Sequence, residues 1–261
     1  MIITSRTNPL ITGICALKDR KKREESGLFF FEGRKLLKEA LASPQLTLDR
    51  ILLTEQAASD LPSLPQEKVT LVSEAVADKL SQVGTHDGVF CTAFCQSDLH
   101  TRFSDRIPDG ERLLMLSSVR DPGNLGTIIR SAYAFGIDSL LLTSDCADLY
   151  NPKTVRAAMG MLFRQRISLI GDPLSAIETL KEKGVTVYAT ALSDRSRSLN
   201  EVDKNGSICF VLGNEGHGLD QEVIAACSGS VIIPMAPSAE SLNVSSAAAV
   251  LCWELFKGKR V

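Results

Sequence analysis

Apolar residues along this chain follow two rhythms. Short unbroken apolar runs, such as Leu28-Phe29-Phe30-Phe31 and Ile208-Cys209-Phe210-Val211-Leu212, read as strands covered on both faces. Between them apolar positions recur at helical spacing, as in Leu36, Leu37, Ala40 and Leu41. In the first part of the chain this predicts a short helix carrying Ile11, Ile14 and Cys15 that ends in a basic run. It also predicts strands over 28–31, 50–53, 69–72 and 89–94. Helices are predicted after Glu32-Gly33 and over 73–80, the latter capped by Ser73. That alternation makes a small α/β unit.

From Gln96 to Gly110 the chain turns polar, the pattern of a linker. Beyond it strand and helix alternate again. Strands are predicted over 112–116, 139–143, 167–170 and 185–190, with helices over 125–135, 152–163 and 173–183. Asn151 and Pro152 start the second of these helices; Gly136 and Gly184 stop the first and third. Two further strand–turn–helix units close the chain. One strand, 207–212, runs into Gly213-Asn214-Glu215-Gly216-His217-Gly218, where three glycines let backbone amides approach a ligand. The other, 231–233, stops at Pro234, and Ser241 and Asn243 stand where an N-cap belongs. Val244, Ala247, Ala248, Leu251 and Leu255 then follow at helical spacing. The pattern predicts an α/β chain in two domains, residues 1–98 and 111–261, joined by a linker over 99–110. The second is a mostly parallel sheet covered on both faces, with loops at two strand ends beside a helix N-terminus, where such sheets bind ligands.

Composition changes this picture little. The 261 residues are 44% apolar and 23% charged, as in ordinary globular proteins. No apolar run approaches the ~20 residues that span a bilayer, and the first residues lack a signal-peptide layout, so a cytoplasmic protein without membrane contact is expected. Seven cysteines show neither a C-x-x-C pair nor zinc spacing, so reduced thiols and no metal are expected. A net charge of −2 means that a nucleic-acid partner needs a local patch. Residues 1–50 offer one, with ten Lys/Arg against six Asp/Glu. Its bland alternative is a solvated helix end.

One more stretch carries candidate chemistry: Asp121-Pro122-Gly123-Asn124-Leu125-Gly126-Thr127-Ile128-Ile129-Arg130. Helical side chains lean toward the N-terminus, so Arg130 reaches over Gly126, and its planar fork suits a phosphate. A glycine that packs a helix on a strand, with a surface arginine beside it, is the alternative. Lys153, Arg156 and Arg164 lie off the apolar face of their helix and either track nucleic-acid phosphates or form a solvated face.

Taken together, N-x-G-x-x-x-R at 124–130, G-N-E-G-x-G-L at 213–219, and I-P-M with S-L-N-V-S at 233–245 resemble the three ordered motifs of the SpoU (TrmH-like) RNA ribose 2′-O-methyltransferases. Ser5, Asn8-Pro9, Leu17-Lys18, Arg23 and Phe29…Glu32-Gly33 resemble the substrate-binding extension of many of these enzymes. The resemblance covers most of the chain.

It implies a C-terminal α/β trefoil-knot (SPOUT) methyltransferase domain preceded by a small α/β ribosomal-protein-like RNA-binding domain. The donor would be S-adenosylmethionine, the active form a homodimer, and the substrate RNA, ribosomal before transfer RNA. By matching position, Arg130 would be the central catalytic residue, with Asn124, Glu215, Ser241 and Asn243 around the reacting ribose. Gly213, Ile233 and Leu242 would contact the donor, with Met235, Asn214 and Thr190 lining its pocket. Asn8, Arg23, Arg34, Lys153 and Arg156 would meet RNA. Three positions depart from the family pattern: Pro237 where glycine is frequent, Ser246 for a common valine, and a partial match at Thr85-His86-Asp87-Gly88. An RNA-binding protein that keeps the fold without transfer is the second reading. A dinucleotide-dependent oxidoreductase ranks last, because the glycine-rich turn comes near the end of the chain rather than after a first strand.

Overall fold

A computed structural model describes residues 2–96, 110–191, 196–236, 238–239 and 241–257. Most of the expected linker, His100 and Pro237 lie outside the described residues. The chain forms two compact units. One contains residues 1–96 together with 148–164; the other contains 97–147 and 165–261.

The first unit runs β1 (Ile2–Ile3), α1 (Pro9–Ala16), α2 (Arg20–Ser26), β2 (Leu28–Glu32), α3 (Arg34–Leu41), β3 (Leu48–Leu53), α4 (Glu55–Asp60), β4 (Val69–Val72), α5 (Glu74–Leu80) and β5 (Val89–Phe94). Its sheet has the order β1-β4-β3-β5-β2. β4 is parallel to β1 and β3, whereas β5 is antiparallel to β2 and β3, so the sheet is mixed. The basic run does not end α1, as the sequence suggested. Asp19 accepts the Lys21 N–H at 2.9 Å and starts a separate helix, α2. Ser73 stands at the N-cap of α5, but its hydroxyl finds no hydrogen-bond partner among the described residues. β1 and α4 were not anticipated: one is two residues long, and Glu-Gln-Ala-Ala-Ser-Asp carries no apolar stripe. Ile11, Ile14, Leu17, Phe30, Leu52, Val76 and Phe90 share one core.

Residues 148–164 complete this unit. The Phe29 ring lies 4.6 Å from Tyr150, and Phe31 lies 5.2 Å from Phe163. Arg164 pairs with Glu39 at 3.1 Å, and Arg23 pairs with Asp148. The helix expected over 152–163 is broken. It spans Pro152–Ala158, and left-handed Met159 and Gly160 then turn the chain into a 3-10 turn, Met161–Phe163. A Cβ at Gly160 would lie 2.6 Å from the Cβ of Glu39, so the break serves close packing of a kind helical periodicity does not report.

The second unit runs β6 (Arg112–Leu116), α6 (Pro122–Ala134) and β7 (Ser139–Thr143). After the helix Pro152–Ala158, here α7, come β8 (Ile167–Ile170), α8 (Pro173–Glu182), β9 (Thr186–Thr190), β10 (Arg197–Ser198), β11 (Ile208–Leu212), α9 (Gln221–Ala226), β12 (Gly229–Ile232) and α10 (Val244–Lys257). The strand order is β10-β12-β9-β11-β6-β7-β8, and all its pairings are parallel. β6, β7 and β11 are buried throughout, which is why they read as unbroken apolar runs. Leu113, Met115, Leu141, Val187 and Val211 meet Ile177, Leu180 and Val223 of α8 and α9 in one core. α10 packs on α6 and reaches β11.

Two helix starts matter for the site. α6 begins earlier than expected, because Asp121 accepts the Asn124 N–H at 2.8 Å and Pro122 occupies the first turn. At α10 the cap is Asn243, whose Oδ1 accepts the Ser245 N–H at 2.9 Å, so Ser241 lies outside the cap. β10 and α9 were also missed by the apolar pattern.

Candidate active site

The glycine-rich turn leaves β11 at Leu212 and folds back on itself. Asn214 and Gly218 exchange two backbone hydrogen bonds of 2.9 Å. This closure presses Gly213 against the returning chain. A Cβ there would lie 2.3 Å from the Gly218 carbonyl, so only glycine fits. The Asn214 side chain orders the rest: its Oδ1 accepts the Gly216 N–H at 2.8 Å and the His217 N–H at 3.3 Å, and its Nδ2 donates to the Ser118 carbonyl at 2.9 Å.

Ser118 follows β6, which lies between β11 and β7. With φ of 59° it is left-handed although not glycine. The Thr143 hydroxyl, at the end of β7, accepts the Ser118 N–H at 2.9 Å, and the Asp145 carboxylate accepts the Ser118 hydroxyl. Partial desolvation works against the Asp145 charge. Hydrogen bonds from Ser118, Thr143 and its own backbone, with Arg120 nearby, outweigh it and hold the carboxyl below its usual range.

Three residues from the three separate motifs join in one hydrogen-bonded line. Asn124 Nδ2 donates to Glu215 Oε1 at 3.1 Å, and Asn243 Nδ2 donates to Asn124 Oδ1 at 3.1 Å. Ser245 donates its N–H and hydroxyl to Asn243 Oδ1, at 2.9 and 2.6 Å. An ionised carboxylate only accepts, so each amide in the line has one orientation. Desolvation pushes Glu215 up, but donors from Asn124, its own backbone, Asp121 and Arg120 win, and the carboxyl sits below the ordinary glutamate range. Arg130, lower on α6, is exposed and has no hydrogen bond or ion pair among the described residues. Ser241 is exposed in the approach to α10.

Of the expected donor-pocket residues, Thr190, Gly213 and Ile233 lie at or just past the ends of neighbouring strands, Asn214 and Met235 in the turns that follow, and Leu242 just before α10. Thr190 closes β9 and donates its hydroxyl to the Val211 carbonyl at 2.8 Å. β9 lies between β11 and β12, so the segment carrying Ile233, Met235 and Leu242 leaves the sheet beside it. Ile233 is half-buried, whereas Met235 and Leu242 are each 42% exposed.

The expected RNA contacts fare unevenly. Arg23 is corrected: it is 3% exposed, donates to the Leu17 and Lys18 carbonyls, and pairs with Asp148. Its guanidinium is a buried tie within the first unit. The neighbouring cations Arg20 and Lys22 pair with Glu24 and Glu25, which reduces the apparent basic patch. Arg34 is half-buried and paired with Asp60 at 2.7 Å. Asn8 caps α1 through the Leu10 N–H. Arg156 donates to Gln82 at 3.2 Å, and Lys153 is exposed.

Ser118, Asp145 and the capping role of Asp121 were missed by sequence reasoning. For Asp121 a signal existed, since Asp before Pro marks a helix start. All seven cysteines are free, and burial pushes Cys95 and Cys227 up to about 11. Among the described residues no cluster of His, Cys, Asp or Glu is placed to hold a metal, and no helix is long and apolar enough to cross a membrane.

A profile of the SpoU rRNA Methylase family matches residues 111–253, and one of the MRM3-like substrate binding domain matches residues 8–91. The chain is 32% identical to the Bacillus subtilis (strain 168) 23S rRNA (guanosine(2553)-2′-O)-methyltransferase RlmP, over 97% of this chain and 98% of that protein. It is 28% identical to the 23S rRNA (uridine(2479)-2′-O)-methyltransferase of Streptomyces viridochromogenes, over 97% and 90%. The crystal structure of an AdoMet-bound rRNA methyltransferase from Sinorhizobium meliloti superposes with a TM-score of 0.88 at 30% identity, covering 98% of this chain and 97% of that one. The chain belongs to the SpoU rRNA methylase family and carries an N-terminal MRM3-like substrate-binding domain.

Proposed function

We propose that this chain transfers a methyl group from S-adenosylmethionine to a ribose 2′-hydroxyl of ribosomal RNA. The observation that carries this reading is the line Glu215–Asn124–Asn243, which draws all three motifs together near one end of the sheet. Family membership, the 2′-O-methyltransferase names of both relatives and the donor in the Sinorhizobium meliloti structure support it.

The donor, when bound, supplies a methyl already activated on sulfonium, so the protein's task is positioning. Holding reactants in line supplies roughly 7–11 kcal/mol in favourable cases. Gly213 and the amides ordered by Asn214 form one wall of the donor site; Thr190, Ile233, Met235 and Leu242 form the others. Arg130 holds an RNA phosphate and polarises the 2′-oxygen. A guanidinium stays protonated, with a pKa above ~12, so the hydroxyl proton leaves to a phosphate oxygen that Arg130 pairs with rather than to Arg130 itself. Asn124 and Asn243 orient the ribose, and Ser241 lies beside them. Glu215, ionised and accepting from Asn124 and the Asp121 N–H, fixes the Asn124 amide and moves no proton.

In this reading Asn8, Arg34, Lys153 and Arg156 meet RNA phosphates, and the protein acts in the cytoplasm as a homodimer with its C-terminal segment threaded as a knot. The aromatic face of α6 and α10 supports the dimer. Trp253, 47% exposed, lies 5.7 Å from Phe135 and 5.9 Å from Phe256, with Tyr133 and Val250 also exposed. Light scattering on the eluting protein tests the dimer. Mapping 2′-O-methyl positions in ribosomal RNA with and without the protein tests the activity. Donor binding without any new methyl would overturn transfer in favour of a binding role.

A further inference from the structure

The proposed chemistry leaves unused the residue where the loops after β6 and β7 meet the glycine-rich turn. Ser118 adopts φ of 59°, which side chains other than glycine rarely tolerate, so something must hold it there. The holder is Asp145. Its Oδ1 accepts the Thr143 hydroxyl at 2.6 Å, which takes the only proton of that hydroxyl and leaves its lone pairs for the Ser118 N–H at 2.9 Å. Its Oδ2 accepts the Ser118 hydroxyl. Ser118 is thus gripped from both its backbone and its side chain. In this pose its carbonyl meets Asn214 Nδ2 at 2.9 Å, and Asn214 Oδ1 gathers the Gly216 and His217 amides.

We propose that Asp145 is a positioning residue for methyl-donor binding: by holding Ser118 left-handed it presents the carbonyl that sets Asn214 and, through it, the amides of the glycine-rich turn. The proposal rests on the reading that this turn is a wall of the donor site. Asp145 itself touches no reactant. A merely structural role would lower stability and leave donor affinity alone; a positioning role changes donor affinity and is rescued where glycine relieves the backbone demand.

The test is calorimetric titration of the full-length protein with S-adenosylhomocysteine, with thermal denaturation of every variant. Asp145→Ala is expected to weaken binding about tenfold, and Asp145→Asn, which keeps one acceptor, by less. Asp145→Ala combined with Ser118→Gly is expected to return to within about threefold of Ser118→Gly alone, because glycine adopts this φ unaided. RNA affinity by fluorescence anisotropy is expected to stay within about twofold, since none of these groups is among the residues assigned to RNA phosphates. If Asn214→Ala weakens binding while Asp145→Ala and Asp145→Asn do not, Asp145 has no positioning role and the donor-site reading stands. If Asn214→Ala binds normally, the donor-site reading fails and the proposal with it. Should Asp145→Ala not fold, Asp145→Asn with and without Ser118→Gly decides, and absence of rescue overturns the relay.

Discussion

Asn243 donates its side-chain amide to the carbonyl oxygen of Asn124 over 3.1 Å, although 119 residues separate them. The same Asn243 caps α10 through its Oδ1. One side chain therefore fixes a helix start and orients a neighbour that ends on Glu215.

Cap and donor can be separated by substitution. Asn243→Asp keeps an oxygen for the Ser245 N–H but removes the amide hydrogens. It is expected to cut methyl transfer by about 10²-fold with little change in melting temperature. Asn243→Ala loses both, and about 1 kcal/mol of stability should go with the cap. Single-turnover transfer and thermal denaturation, run in parallel, check the split.

Arg130 is a second test of the same site. Arg130→Ala is expected to lower kcat/KM by about 10²-fold or more, and Arg130→Lys to recover only part, because a point charge replaces a planar fork. Full transfer by both variants would remove Arg130 from the mechanism.

Arg23 gives the opposite expectation. Removing one partner of a buried pair typically costs ~3–5 kcal/mol, so Arg23→Ala should depress the melting temperature strongly. Once folded at low temperature, the variant should bind RNA as the parent does. Chemical denaturation beside anisotropy measures both quantities.

Acid should expose the held carboxylate. The folded pKa of Glu215 lies below its unfolded value, so its contribution to stability is complete above the ordinary glutamate range, about 4.3. It is lost as pH falls through the lower folded value. The difference in melting temperature between the parent and Glu215→Gln is therefore expected to be constant from pH 7 to about 5 and to shrink below about 4. A difference that instead grew on acidification would contradict the direction of the shift.

Much of the fold was legible because burial writes itself into apolar spacing. The central strands β6, β7 and β11 are buried on both faces, so their runs have no polar interruption. Asn124, Glu215 and Asn243 were legible as members of motifs, but their mutual contacts were not, since no local rule links positions 91 or 119 residues apart. Ser118 and Asp145 left no trace: the αL pose of a serine has no compositional mark, and the carboxylate that holds it belongs to another strand end. Arg23 misled because a run of cations reads as surface, whereas burial at this position depends on Asp148. α4 and α9 are short, without the length over which a periodicity can be read.

Residues 148–164 supply Tyr150, Phe163 and Asp148 to the first unit. During synthesis the ribosome releases them only after residues 97–147, so the nascent N-terminal segment waits with Phe29 and Arg23 unmatched. A fragment cut at residue 96 would stay in that waiting state, prone to chaperone capture or clumping. The first unit is therefore complete only once residues 148–164 have joined the N-terminal segment.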